Sequence, residues 1–268
     1  MAASSGAPAG KSITIKSRDE IQIMAEANRI VAEVLVMLQN VVEPGITTFE
    51  LDRLAEELCG KRKAVPAFKG YRGFPGSLCV SINEEVVHGI PSRKRKLKKG
   101  DIISVDFGTI YKGYYGDSAV TIPVARINAE KYKLLKVTEE SLFKAIDQVR
   151  IGKRVSDVSA AVQQHVEKNG FSIVKQFVGH GIGTALHEGP EIPNFVQEGS
   201  SPRLLEGMVL AIEPMVNIGT HKVKVLRDGW TVITSDRKSS AHFEHSVAVT
   251  KDGPLVLSSR ADFDSLNK

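Results

Sequence analysis

The sequence predicts an α+β protein made of two similar halves that share one core, and two observations lead to this prediction. Each half reads as two amphipathic helices followed by strands. The interval from Gly45 to Gly152 equals the interval from Gly100 to Gly207, and at this common offset the segment 100–106 aligns with the segment 207–213. A carboxylate ends each of these two related strands. We therefore expect the halves to be related by an approximate two-fold axis.

Composition excludes several classes of protein. The 268 residues are 42% hydrophobic and 25% charged, as in an ordinary globular protein. Apolar runs stay below the ~18 residues that a membrane helix needs, and residues 1–11 lack the apolar core of a secretory signal. Two cysteines, Cys59 and Cys79, are too few for a disulfide framework and indicate a reducing compartment. We expect a cytoplasmic protein without a membrane partner.

The elements of the first half follow from periodicity and from stop signals. Residues 1–12 are rich in Ala, Ser and Gly and are predicted to form a flexible arm. Apolar residues at helical spacing predict a helix over 18–42, ended by Pro44 and Gly45, and a second over 49–59 after capping threonines. Strands are predicted at 78–87, 101–109 and 114–124, the last two joined by a turn at 112–113.

The second half repeats this order. Helices are predicted over 130–149 and 157–168, and strands over 171–178, 207–216, 223–234 and 242–250. The predicted organisation is an arm (1–12), a single catalytic domain (13–258) and a C-terminal tail (259–268). The repeated halves of the domain cover about 13–125 and 126–258.

Four acidic residues lie at strand positions where an exposed charge is not the obvious explanation: Asp106, Asp117, Glu213 and Glu244. Burying such groups is costly unless they are paired or bind metal. His180 lies in the glycine-flanked segment 179–183 and could add an imidazole ligand. Four negative charges balance two divalent ions, and donors without thiolates suit Mn, Fe, Co or Zn. The set predicts a two-metal centre that hydrolyses an amide or ester.

The same five residues match, in order and surroundings, the metal ligands of a known family. The chain resembles the type I, bacterial-type methionine aminopeptidases over roughly 13–257. The most specific matching segments are 77–91, the Gly-His-Gly-Ile-Gly run at 179–183, Ile-Glu-Pro-Met at 212–215 and Asp-Gly-Trp-Thr at 228–231. The resemblance implies the pita-bread (creatinase/aminopeptidase) fold, in which a curved antiparallel sheet is backed by helices.

The resemblance also implies a role for each ligand. Asp106 would chelate one ion, Asp117 and Glu244 would bridge both, and His180 with Glu213 would complete the other. A hydroxide between the ions would be the nucleophile, and Glu213 would act as the general base. Two further catalytic histidines are implied: His187 would stabilise the developing oxyanion, and His88 would contact the peptide nitrogen or the departing amine.

By the same resemblance, a slender apolar pocket would receive the methionine side chain. The matching substrate-binding residues, besides His88 and His187, are Tyr71, Phe74, Cys79, Phe177 and Trp230. The implied activity is removal of the initiator methionine from nascent polypeptides when the second residue is small. His242 and Gly189 depart from the pattern usual in the family, so the metal and the fine specificity stay open.

Two alternatives remain at this point. An Xaa-Pro aminopeptidase or dipeptidase of the same fold shares the five ligands, although residues before 13 leave no room for its usual extra domain. A non-catalytic binding protein would be expected to lack ligands, and all five are present. Basic runs at 93–99 and 221–227 suggest contact with a ribosome, against the simpler interpretation of solvated loops. A monomer is expected.

Overall fold

The helices in residues 12–261, the part of the chain that the computed structural model describes, follow the prediction closely at both ends. They are α1 (Arg18–Val41), α2 (Thr48–Lys61), α3 (Ala129–Ile146) and α4 (Val155–Lys168). Capping boxes start the first two: Ser17 pairs with Glu20, and Thr47 pairs with Glu50. In each box a side chain and a backbone N–H satisfy each other, which defines where the helix begins.

The strands are shorter and more numerous than the predicted ones. They are β1 (Val65–Pro66), β2 (Cys79–Ile82), β3 (Glu85–Val87), β4 (Ile102–Tyr111), β5 (Tyr114–Pro123), β6 (Ser172–Ile173), β7 (Gly179–Gly181), β8 (Glu188–Ile192), β9 (Val209–Ile212), β10 (Met215–Asn217), β11 (Val223–Val225), β12 (Val232–Thr234), β13 (Ser240–His242), β14 (His245–Thr250) and β15 (Gly253–Val256). The pairs within these sheets are antiparallel, as expected.

Two sheets carry the residues of interest. In the first half, β5 and β2 flank β4, and β1 pairs with its far end. The second half contributes a five-stranded sheet in the order β15-β14-β9-β7-β8. The predicted turn between β4 and β5 is confirmed: Lys112 and Gly113 both have positive φ, as a two-residue hairpin turn requires.

The predicted repeat is visible in backbone hydrogen bonds. Gly45 N–H donates to Leu97 O at 2.9 Å, and Gly152 N–H donates to Leu204 O at 3.3 Å. The two donors are separated by the common offset of the sequence repeat, and so are the two acceptors. The two halves therefore use the same loop contact after their first helix, which confirms two related halves.

The long helix α1 packs against the β4–β5 hairpin and explains a glycine in the middle of β5. A Cβ at Gly116 would lie 2.9 Å from backbone atoms of Ala27 and Asn28, closer than a real Cβ contact allows. Asn28 Oδ1 accepts a hydrogen bond from Asp117 N–H at 3.2 Å. Helix and hairpin thus meet directly beside one of the predicted metal ligands.

Several predicted strands prove to be interrupted. The strand predicted over 171–178 is wrong beyond Ile173, because the chain then leaves the sheet and brings Phe177 to a cavity wall. The strand predicted over 207–216 is broken at Glu213-Pro214, since proline lacks the N–H that a ladder needs. The segments 223–234 and 242–250 are each divided into two strands.

The predicted division into arm, catalytic domain and tail stays a prediction, because residues 1–11 and 262–268 lie outside the described part. At its edges, Ser12 O accepts a hydrogen bond from Gly189 N–H at 3.1 Å. Arg260 Nη1 donates to Ser118 Oγ at 3.4 Å. Among the described residues, no helix combines the length and the apolarity needed to cross a membrane.

Candidate metal centre

Two of the predicted ligands come from one hairpin. Asp106 on β4 lies opposite Ala119, and Asp117 on β5 lies opposite Gly108. The two aspartates are therefore diagonal neighbours on the same face of the strand pair, within reach of each other. The regular register between β4 and β5 is what holds the two carboxylates together.

The other three predicted ligands share one face of the second-half sheet. Ala211 on β9 lies opposite both His180 on β7 and Ser246 on β14. Glu213 is two residues after Ala211, and Glu244 is two residues before Ser246. Because side chains alternate along a strand, His180, Glu213 and Glu244 point to the same side.

Hydrogen bonds between the halves bring the two faces together. Glu244 N–H donates to Ala119 O at 3.0 Å, and Ser118 Oγ donates to Glu244 O at 2.6 Å. Ser246 Oγ donates to Asp117 O at 2.8 Å. These bonds place the start of β14 against β5, so the carboxylates of both halves line a single cavity of about 290 Å³.

The chemistry of this cluster fits divalent metal. Ligand atoms of Asp117, His180 and Glu244 all lie within 4.8 Å of one another. Asp106 Oδ1, Asp117 Oδ1 and Glu244 Oε1 are buried and accept no hydrogen bond. A buried carboxylate oxygen without a partner is costly, and a cation among the three oxygens would satisfy them.

Electrostatics leads to the same conclusion. Burial raises the pKa of Asp106 to about 7. Burial also raises the pKa of Asp117, Glu213 and Glu244 well above the ordinary value, and the negative charges of neighbouring carboxylates raise it further. Without cations the cluster therefore holds protons at neutral pH, and cations would replace them.

His187 lies at the edge of this cluster. Its ring centroid is 4.2 Å from that of His180, and its Nδ1 is 2.8 Å from the Tyr71 hydroxyl. When that hydroxyl donates to Nδ1, the imidazole proton lies on Nε2. The contact thus orients the His187 ring, and the proton lies on Nε2 when Tyr71 is the donor.

His88 lies on the apolar side of the cavity. Burial lowers its pKa to about 4, so the ring is neutral at neutral pH. Its ring meets Phe177 edge-on at a centroid distance of 5.5 Å and Trp230 at 6.4 Å. A neutral imidazole can donate one hydrogen bond without bringing a charge into this wall.

The remaining predicted substrate-binding residues complete the wall. Phe74 meets Trp230 edge-on at 5.2 Å. Cys79 on β2 lies opposite Asp106, and burial raises the pKa of its thiol well above the usual value, so the thiol is neutral. The structure brings every predicted site residue to this one cavity. Their individual roles stay predictions.

The sequence analysis missed three residues that line the cavity: Phe68, Arg72 and Leu186. The glycines on either side of 71–72 were a signal for a loop at the site, whereas Phe68 and Leu186 resemble ordinary core residues. His242, one of the departures from the family pattern, has its Nε2 3.9 Å from Glu213 Oε2, and burial lowers its pKa to about 3. It therefore faces Glu213 as a neutral ring.

Comparisons with known proteins agree with this geometry. The sequence model of metallopeptidase family M24 matches residues 22–251. A methionine aminopeptidase of Clostridium acetobutylicum is 51% identical over 91% of this chain and 98% of its own length. The crystal structure of a methionine aminopeptidase from Thermotoga maritima matches with a TM-score of 0.91 at 44% identity, over 92% of this chain and all of that one.

A prolidase from Pyrococcus horikoshii is a more distant neighbour. It matches with a TM-score of 0.75 at 22% identity, over 91% of this chain but 63% of the prolidase, and therefore shows the pita-bread fold alone. The Xaa-Pro alternative is accordingly not favoured. The strand register, the buried carboxylates and the extensive identity together make this chain a member of metallopeptidase family M24, among its methionine aminopeptidases.

Proposed function

We propose that the chain removes the N-terminal methionine of polypeptides whose second residue is small, by hydrolysing the first peptide bond at a centre of two divalent ions. The observation that carries the proposal is the convergence of four buried carboxylates and one imidazole in a single cavity. Two divalent ions balance four carboxylates in charge. Oxygen donors with one imidazole suit Co, Mn, Fe or Zn.

The ligands divide by their positions. His180 and Glu213, with Nε2 and Oε1 3.4 Å apart, would hold one ion, and Asp106 would hold the other. Asp117 and Glu244, whose ligand atoms lie within 4.8 Å of each other and of a His180 ring nitrogen, would contact both ions. Bound divalent ions supply two things here: a lower pKa for a water molecule and polarisation of the scissile carbonyl.

The chain's own residues orient the substrate and move protons. Glu213 accepts the proton of the attacking water and passes it towards the leaving amine. His187, with its proton on Nε2, donates a hydrogen bond to the carbonyl oxygen as negative charge develops there. His88 donates a hydrogen bond to the nitrogen of the scissile bond as that nitrogen becomes the departing amine.

The apolar side of the cavity explains selection of methionine. Phe74, Cys79, Phe177 and Trp230 offer ring edges and a neutral thiol to a slender thioether side chain. Crowding beside His88 favours a small second residue such as Ala, Gly or Ser. A polypeptide with a free N-terminus supplies a neutral amine as a ligand, and an internal peptide bond cannot.

The test is hydrolysis of Met-Ala-Ser by protein reconstituted with Mn or Co, compared with Leu-Ala-Ser, Met-Leu-Ser and an Xaa-Pro peptide. We expect rapid cleavage of Met-Ala-Ser alone, and none by chelated protein. Cleavage of the Xaa-Pro peptide in preference to Met-Ala-Ser would contradict the proposal. Metal analysis of protein isolated without added metal would identify the ions and count them.

The proposed substrate suggests where the protein works. All six cations of the run 93–99 are exposed, and Lys94 and Arg95 line a groove that Leu226 of the second run also lines. We propose that this surface contacts the ribosome, that the protein is cytoplasmic, and that it acts as a monomer. Co-sedimentation with ribosomes that survives charge reversal of both runs would contradict the contact, and light scattering tests the monomer.

A further inference from the structure

Arg72 is a positively charged side chain in the lining of the cavity. Among the described residues that line it, four are carboxylates and Arg72 alone is a lysine or arginine. The side chain is exposed, so it stands at the mouth of the cavity rather than within it. Its backbone is in the left-handed region, with φ 49° and ψ 24°, between Gly70 and Gly73, which also have positive φ.

The position of the guanidinium is set by an aromatic ring. Arg72 Cζ lies 5.4 Å from the ring centroid of Tyr71, whose hydroxyl is 2.8 Å from His187 Nδ1. The chain of contacts runs from the proposed reacting carbonyl, through His187 and Tyr71, to Arg72 at the rim. Within residues 12–261, no carboxylate forms an ion pair with Arg72.

The route of a substrate brings its downstream residues to this rim. With the methionine side chain against Trp230 and the first carbonyl beside His187, the rest of the peptide must leave through the open side of the cavity. Each extended residue advances the chain by about 3.3 Å, so the third residue is one step beyond the second residue, whose nitrogen belongs to the scissile bond next to His187. A side chain at the third position would lie within reach of the long Arg72 side chain, which packs over the Tyr71 ring.

We propose that Arg72 makes this enzyme prefer substrates with a carboxylate at the third position, a specificity that rests on the proposed removal of methionine. The second residue must be small, which leaves the third as the first position where an acidic side chain can be read. The guanidinium would pair with it at the exposed rim, and a lysine there would be repelled.

The test uses three peptides that differ at one position: Met-Ala-Glu-Ser-amide, Met-Ala-Gln-Ser-amide and Met-Ala-Lys-Ser-amide. The amide removes the terminal carboxylate, which could otherwise occupy the same place. We expect kcat/KM to decrease in the order Glu, Gln, Lys. The Glu/Gln ratio should be about two to five at low salt, as expected for an exposed ion pair, and should fall towards one at high salt.

Substitution of Arg72 tests whether this residue causes the preference at the third position. Arg72→Asn suits the left-handed backbone and should bring the three kcat/KM values together. Arg72→Glu should reverse the order. The matched control is Arg93→Asn, which removes another exposed arginine, stacked 3.6 Å from the ring of Phe49 and not lining the cavity, and should keep the wild-type order.

A wild-type enzyme that cleaves the three peptides equally would overturn the inference, as would an order that survives in Arg72→Asn. Either result leaves the proposed function intact, because the Gln peptide is still cleaved. Failure of the reconstituted wild-type enzyme to cleave any peptide that begins Met-Ala would instead overturn the proposed function, and the Arg72 inference with it.

Discussion

The two halves of the molecule contain the same strand pair but connect it differently. In the first half β4 and β5 are joined by a two-residue turn, whereas residues 213–244 separate β9 from β14. This long connection forms β10–β13 and brings Trp230 to the cavity. The comparison indicates that the four predicted acidic ligands lie on or beside the repeated strand pair, and that the insertion in one copy adds Trp230 to a wall whose other residues come from other segments.

The acidic residues follow the repeat only in part. Asp106 and Glu213 are equivalent at the common offset that relates the two halves. Opposite Asp106 lies Ala119, whereas continuation of the β9–β14 register places Glu244 opposite Glu213. A symmetric scaffold therefore carries an asymmetric set of acids, and the equivalent residues Asp106 and Glu213 need not do the same work.

The largest effect should come from the acid that moves protons. At saturating Mn, Glu213→Gln should lower kcat about 10²–10⁴-fold, because the general base is lost. Asp106→Asn should weaken metal binding more than it lowers kcat. Rates measured against metal concentration separate the two variants, and the exposed Glu198→Gln is the control. Equal losses of kcat at full metal occupancy would show that the two equivalent acids have the same role.

The second prediction concerns how the segment with His187 is held. Unlike the β4–β5 hairpin, this segment is anchored by the chain's first described residues: Lys16 Nζ donates to Glu188 Oε2 at 2.6 Å, and both side chains are buried. Lys16→Met should lower the free energy of unfolding by about 3–5 kcal/mol, because it leaves a buried charge unpaired. Urea unfolding measures the loss.

The control for this pair is Lys112→Met, which breaks an exposed ion pair with Glu26 and should change stability little. The double variant Lys16→Met/Glu188→Leu should lose less than the sum of the two single changes, since it removes both charges. An additive loss would contradict a direct interaction between Lys16 and Glu188.

A third prediction tests the orientation of His187. His187→Asn should lower kcat about 10²–10³-fold, the usual cost of removing one donor to a developing oxyanion. Tyr71→Phe should lower it less and should leave metal affinity unchanged, because it removes only the hydroxyl that orients the imidazole. Steady-state kinetics with Met-Ala-Ser checks both changes. Wild-type kcat in His187→Asn would exclude this role.

A fourth prediction concerns the pH dependence of stability, measured as a difference between two proteins. In metal-free protein the folded-state pKa of Asp106, about 7, exceeds its ordinary value of 3.8. The folded protein thus binds this proton more tightly than the unfolded chain, and the group costs more stability as pH rises from about 4 to 7. Asp106→Asn removes that cost.

Thermal unfolding of both proteins in chelator checks this sign. As pH rises from about 4 to 7, the melting temperature of Asp106→Asn should increase relative to that of the wild type. Buried histidines such as His88 affect both proteins alike and cancel in the difference. A gap that narrows with rising pH would contradict the assignment, and added Mn should abolish the gap or reverse it.

Many structural features of this molecule can be predicted from local sequence patterns. Apolar spacing and capping residues predict the four helices and, closely, their ends, because a helix is stabilised by contacts three and four residues apart. The turn at Lys112-Gly113 and the common offset of the two halves are likewise visible without coordinates. The resemblance supplied the ligand list, and the fold brings each member to the cavity.

What local patterns could not reveal are contacts between distant segments. The sequence alone determined the helices, the hairpin, the repeat and which acids to examine. Only the tertiary structure decided that a strand stops before Glu244, that Lys16 pairs with Glu188, and that Arg72 stands at the rim. The reason is physical: these positions depend on packing between residues far apart in the chain, which no local propensity encodes.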